Sequence, residues 1–436
     1  MACAPIGVCI FSGTLLLVAG CGGGSVGGSG TGGGDNSTTV TFTITGGSPS
    51  AVAAKIGSGA FAAATLSSGK ITLSLPSGTT TFAVAFVCPS TSLTEAGPQQ
   101  TVENVVEATT LDGTSFTESC PILPGTQTSG TLTGSVDASA ISGANILEVY
   151  AQNAQNGPTE FPLPVLGSSG SFSFAAPLGT DRVLVLAYDS VLSGDMESLG
   201  NLVAAKNFSS QIVPGALNGG NTVILGAADA TTPEPVTYTG VPSGYSPPTA
   251  LASFEINGGG AILLGSAVTS TYPALPAGAV QSGDSYVFLA AAHNISNLGE
   301  QAQVITTLAS AGPVSFSFPA AWTYPGPAAA AWPSFNLAYA GFAGKTGVTD
   351  AVDETWTTDA STIDMVVVIA TANSLNGSTT LAVPDLSGLA GFPAAPASGS
   401  NVVWTAVISQ GSALSHAATG NGSTMLVSNA GSYVVP

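Results

Sequence analysis

The chain has 436 residues, 44% of them hydrophobic and 7% charged, enough apolar matter for about two to four domains with cores of their own, which rules out a chain disordered throughout. Twenty-four acidic residues against five basic ones leave a net charge of −19; such a surface lacks the cations that neutralise phosphates, so nucleic acid and anionic lipid headgroups are poor partners. With charge scarce and Gly, Ala, Ser and Thr abundant, short strands and tight turns are expected in place of salt-bridged helices, and the chain reads as all-β.

Pro5 to Gly20 is apolar over the length of a signal-peptide core, too short and too interrupted to span a bilayer stably. It ends in Val18, Ala19 and Gly20 before Cys21. This resembles the lipobox of bacterial lipoproteins, which implies removal of residues 1–20, a diacylglycerol on the Cys21 thiol and a place in the cell envelope, at the outer membrane because Gly22 follows the cysteine. The alternative is an ordinary signal peptide with Cys21 as a spare thiol. Residues 21–36 form a Gly/Ser-rich tether of about 20 Å end to end. Its G-x-G-x-x-G and G-x-S-x-G matches have no strand before them and no helix after, so they carry no chemistry.

In residues 37–125, Val40, Phe42 and Ile44 alternate with threonines in TTVTFTIT, and ITLSL from Ile71 and TFAVAFV from Thr81 follow the same period of two. Gly, Ser and Pro punctuate them, as in a small antiparallel sandwich. With Cys3 and Cys9 in the signal and Cys21 lipidated, Cys88 and Cys120 remain to form a disulfide in an oxidising compartment. Metal binding is the weaker reading, since two thiols fall short of the four ligands of a closed zinc site.

Residues 126–232 contain a glycine-marked strand with Gly134 and Val136, a second from Ile146 to Tyr150 after Gly143, and Gly170 before Phe172 and Phe174. Pro177 and Gly179 then precede Val183 to Ala187. Over about a hundred residues this resembles the carboxypeptidase-regulatory, prealbumin-like sandwich, which implies a stalk, spacer or binding module with no catalytic residue to carry over. Independently, VLVLAY is too apolar for an edge strand and suits the middle of a sheet. Asp181 beside Arg182 reads as a surface pair, and Asp195 to Ala205 as a short helix or a loop.

The proline-rich stretch TTPEPVTYTGVPSGYSPP reads as a semi-rigid linker into residues 237–436, one large sandwich or two small ones with about ten strands. Stretches near 272 and near 383 share a proline, leucine, Pro-Ala, Ser-Gly order before an apolar strand, an echo that reflects either duplication or common loop grammar. Prolines at 319, 325, 327 and 333 interrupt an aromatic run. Trp322, Tyr324, Trp332 and, further on, Trp356 are therefore candidate ligand-binding aromatics, with burial in the sandwich as the competing reading. Asp353 and Asp359, in TDAVDETWTTDASTID, are weak candidates for a metal or for a glycosidase acid and base, and otherwise solvated loop acids. His293, at a strand end, and His416, in a turn, lack a nucleophile elbow or metal partners.

The sequence thus describes tandem Ig-like or prealbumin-like antiparallel β-sandwich modules after a flexible tether. The expected role is adhesion or binding of a glycan or protein ligand, with the membrane as a partner through the lipid anchor and no cofactor. A glycan-active hydrolase and a structural envelope spacer are the alternatives.

Overall fold

Apolar side chains recurring at every second residue become strands along almost the whole chain. The computed structural model describes residues 37–88, 99–120, 129–153, 157–158, 165–177, 179–190, 199–212, 217–257, 261–359, 362–411 and 422–436. The expected signal segment 1–20, Cys21, the expected tether 21–36 and His416 lie outside the described residues.

The first unit contains β1 (Thr38–Gly46), β2 (Ala51–Ile56), β3 (Ala62–Ala63), β4 (Leu66–Ser67), β5 (Lys70–Leu75), β6 (Thr81–Cys88), β7 (Gln99–Thr109) and β8 (Ser115–Cys120). The threonine alternation of β1 turns Val40, Phe42 and Ile44 into a core with Phe82, Phe86 and Phe116. Phe42 stacks on Phe116 at 4.7 Å. Cys88 at the end of β6 and Cys120 at the end of β8 form a disulfide across the two layers, with Cα atoms 5.3 Å apart. Replacing both cysteines by alanine is expected to cost about 3–4 kcal/mol, read as lost urea-unfolding free energy of the oxidised protein.

The second unit contains β9 (Ser129–Asp137), β10 (Ile146–Asn153), β11 (Gly157–Pro158), β12 (Val165–Leu166), β13 (Ser169–Pro177), β14 (Gly179–Ser190), β15 (Leu199–Ile212) and β16 (Leu217–Ile224). β14 lies between β10 and β15. Both of its faces are buried, Val183, Val185 and Ala187 in the unit's own core and Leu184, Leu186 and Tyr188 against the third unit, which is why VLVLAY carries no polar alternation. The residues from Leu199 onward, open between helix and loop in the sequence, are strand.

The third unit contains β17 (Thr232–Thr239), β18 (Thr249–Glu255), β19 (Ala261–Val268), β20 (Thr271–Ala274), β21 (Ser285–Asn294), β22 (Asn297–Leu308) and β23 (Val314–Ser317). The fourth contains β24 (Ser334–Asn336), β25 (Val348–Asp359), β26 (Thr362–Thr371), a single-turn helix α1 (Ala372–Leu375), β27 (Thr380–Ala382), β28 (Asn401–Gln410) and β29 (Gly422–Val434). The start of the expected linker is therefore a strand, β17. Pro233 and Pro235 fit because β23 pairs only with residues 236–239, so their missing N–H groups face no neighbouring strand.

One pairing scheme repeats. In the first three units the opening strand pairs antiparallel with the fourth position and parallel with the seventh: β1 with β5 and β8, β9 with β13 and β16, β17 with β20 and β23. The second position pairs with the third and fifth, and the fifth with the sixth, as in β18 with β19 and β21, then β21 with β22. The fourth unit follows the same order through β24 and β27, then β26, β25, β28 and β29. Both halves of the sequence echo are the connection from the fourth to the fifth position, β20 to β21 and β27 to β28.

The units share sheets. β22 pairs with β29, and β26 pairs in parallel with β7. A twelve-stranded sheet in the order β19-β18-β21-β22-β29-β28-β25-β26-β7-β6-β2-β3 therefore runs from the third unit through the fourth to the first. No helix among the described residues is long and apolar enough to cross a membrane.

Candidate binding groove

The fourth unit departs from its sisters at one position: among the described residues no strand pairs with the second edge of β24. In the other units that lane holds β8, β16 or β23. Here the segment before β24 runs beside it. Its burial alternates as in a strand, with Trp322 and Tyr324 inward and Thr323 and Pro325 outward, but no backbone ladder joins the two. A groove of about 360 Å³ separates them, lined by Trp322 to Ala328 on one wall and by Ser334, Asn336 and Ala338 on the other.

Strand geometry explains the second wall. Leu337 N–H donates to the Thr379 carbonyl and Val383 N–H to the Pro333 carbonyl, so residues 333, 335 and 337 face β27 and the alternate residues face the groove. One aromatic head group holds part of this edge: the Trp322 indole N–H donates to the Ala338 carbonyl at 3.1 Å. The Tyr324 hydroxyl is buried without a hydrogen-bond partner among the described residues, and burial pushes its pKa up. The two rings stack at 5.3 Å and 16° and make the floor. Gly326 is required where the wall passes Trp404, because a Cβ there would sit 2.9 Å from the indole and its φ is +89°.

The sequence-derived candidates are divided by this geometry. Trp322 is 4% exposed and Tyr324 8%, so they meet the groove as its floor and are not an exposed stacking platform. Trp356 is 3% exposed and Trp332 is partly buried; they meet edge to face at 5.8 Å inside the core and take no part in the groove. The aromatics are buried because the proline-broken segment lies over the twelve-stranded sheet. Ser334, Asn336 and Thr323 line the groove and were not singled out from sequence, where three small polar residues beside prolines carry no signal.

The acidic run is not a solvated loop. It is β25, a central strand of the large sheet. Asp350, Glu354 and Trp356 face the core of the fourth unit, and Glu354 is 1% exposed, with one carboxyl oxygen accepting the Tyr433 hydroxyl at 2.7 Å. Burial raises its pKa to about 7. Asp353 lies on the opposite face; burial raises its carboxyl to about 7 against a hydrogen bond with Thr405. Asp353 and Asp359 sit six residues apart on one strand, about 20 Å at strand rise, too far for the roughly 5–10 Å of a glycosidase pair. Among the described residues no group of three or more His, Cys, Asp or Glu is placed to hold a metal ion. His293 is the penultimate residue of β21, with Nδ1 3.1 Å from the Ser246 hydroxyl, which also accepts the His293 N–H; the pair clamps a strand end to a loop.

No family model matches the chain, and no curated protein matches it. Among solved structures, the Bacillus anthracis TIE protein is similar at 10% identity over 64% of this chain and 50% of its own, with a TM-score of 0.14. A pilus adhesin, SpaC, from Lactobacillus rhamnosus GG is similar at 10% identity over 77% of this chain and 44% of its own, with a TM-score of 0.15. The major pilin from Streptococcus pyogenes is similar at 7% identity over 56% of this chain and 99% of its own, with a TM-score of 0.10. The chain spans about half the length of the first two.

Proposed function

We propose that this chain is an exported binding protein displayed on the cell envelope, held at the membrane through Cys21 and engaging its ligand in the groove beside β24. The groove carries the reading: it is a concavity in a rigid sheet protein with an aromatic floor, a few polar groups and open backbone donors. The disulfide supports export, since such bonds persist in oxidising compartments. The repeated strand order supports extending the prealbumin-like resemblance of the second unit to all four, as a stack of spacers that presents the fourth.

Two measurements test this. Mass spectrometry of the mature protein from the membrane fraction is expected to find a diacylglycerol-modified Cys21 at the N-terminus; an unmodified cysteine or another cleavage point removes the anchor. Ser334→Trp fills the groove from an exposed position and is expected to abolish retention on immobilised neutral polysaccharide or peptide with the melting temperature unchanged. Equal retention by the variant and the wild type would move the site elsewhere.

A further inference from the structure

The connection from the fourth to the fifth position forms a joint between units twice. In the third unit it holds Asp284, whose carboxylate meets Arg182 of the second unit at 2.8 Å, and the Ala279 carbonyl, which accepts from the same guanidinium. In the fourth unit the equivalent stretch, residues 383–400, lies against the first unit. Leu386, Leu389 and Phe392 pack in one cluster with Ala53, Ala85 and Val105, and a Cβ at Gly391 would sit 2.8 Å from that of Ala51. Here the joint carries like charges. Asp385 of the connection and Asp364 of β26 both act on Glu103 of β7, which is 1% exposed with both carboxyl oxygens unpartnered among the described residues. We propose that residues 384–398 form a flap that lifts from the first unit when Glu103 loses its proton, loosening this joint in alkaline surroundings while both sandwiches stay folded.

Register puts the acids on one face of the large sheet. Glu103 pairs with Val366 of β26 and Val87 of β6, and Asp364, 6% exposed, lies two residues before Val366 on the same side. Across Val366 stands Glu354 of β25, with one oxygen on the Tyr433 hydroxyl and the other unpartnered among the described residues; Asp350 shares that face farther along β25. The cation of β2, Lys55, is held by Glu107 farther along β7 at 2.6 Å. Each charge acting on Glu103 is therefore negative, and burial first, then Asp385 and Asp364, push its pKa up to about 8. The flap is the element free to yield. Between residues 384 and 398 no described backbone hydrogen bond leaves the connection: the Leu389 and Phe392 N–H groups donate back to Leu386 and Leu389, and Asp385 accepts from Ser387 within it. Side-chain packing holds the flap down, whereas β7 and β26 are fixed by nine ladder pairs. Lifting lets water reach Glu103 and returns its carboxyl to the ordinary range, so ionisation favours the open form.

The test places a thiol on the flap of the whole chain, Leu386→Cys, and follows its alkylation by iodoacetamide, located by mass spectrometry, at about pH 6 and about pH 9 with and without Glu103→Gln. The pH dependence of the thiol itself is common to both backgrounds and divides out. The rise in labelling should be roughly tenfold or more larger with glutamate at position 103 than with glutamine. A thiol at the sheet centre, Ala406→Cys, where the alanine is 0% exposed, should stay protected in both. Asp385→Lys, at an exposed position, sets a cation against Glu103 and should keep the flap closed at the higher pH. Where Leu386→Cys does not fold, Leu389→Cys on the same flap gives the same readout. An equal rise with glutamate and glutamine overturns the inference, as does labelling that the lysine leaves unchanged. Parallel exposure of positions 386 and 406 overturns it too, because the whole unit then opens and not the flap.

Discussion

Arg182→Leu should destabilise the protein by about 3–5 kcal/mol, the cost of leaving a buried charge without its partner. The sequence paired Arg182 with neighbouring Asp181 at the surface. The structure instead gives it a partner 102 residues away: Nη1 donates to Asp284 Oδ1 at 2.8 Å, with side-chain exposures of 9% and 0%. Nη2 donates to the Ala279 carbonyl. Asp284 also accepts the backbone N–H groups of Asn257 and Gln281 at 2.9 and 2.6 Å, so the carboxylate is rigidly placed on the third unit before the arginine of β14 arrives. Leucine leaves that carboxylate without its countercharge at the joint between the second and third units. Adding Asp284→Asn to the leucine variant should recover part of the loss, because the stranded charge is then removed. Urea unfolding of the single and double variants measures both, and equal stability of Arg182→Leu and the wild type would show that the pair contributes nothing net.

The second large effect depends on pH. Glu103 of β7 is 1% exposed, and neither carboxyl oxygen has a hydrogen-bond partner among the described residues. Burial, with Asp385 and Asp364 nearby, raises its pKa from 4.5 to about 8. The folded state therefore holds a proton that the unfolded state releases first. Its stabilising contribution is complete below about pH 4.5 and is lost as pH rises toward 8, at up to about 1.4 kcal/mol per pH unit. Glu354 of β25 adds to the same slope, with a pKa raised to about 7. Glu103→Gln stays neutral throughout, so it should flatten the stability profile and exceed the wild type at pH 8 by on the order of 3 kcal/mol. Parallel wild-type and variant profiles between pH 5 and 8 would show that Glu103 is solvated.

These two sites mark where the sequence was legible. Threonine alternation in β1 and the unbroken apolar run of β14 announce strands because local pattern and tertiary burial agree. β25 was hidden because Asp350, Asp353, Glu354 and Asp359 look like a solvated loop, yet burial suppresses the ionisation of Asp350, Asp353 and Glu354 and Val352 and Trp356 keep the period of two. β17 was hidden behind prolines that occupy an unpaired edge. In the groove, Trp322 and Tyr324 were found by residue type, but their burial was not legible, because it depends on what lies beneath a proline-broken segment. The open edge of β24 has no sequence signal at all: it shows only when the fourth unit is laid over the other three.

The parallel ladder between β7 and β26 has a mechanical consequence. Nine residue pairs, from Thr362 with Gln99 to Ala370 with Glu107, join the first unit directly to the fourth. A tensile load entering through the first unit and leaving through the fourth has a route that crosses this seam and leaves the second and third units out of the line of pull. Where that force runs along the strands, it meets the seam's hydrogen bonds side by side in shear and not one at a time as in a zipper. The seam is then toughest when the first and fourth units are drawn apart along the strand direction.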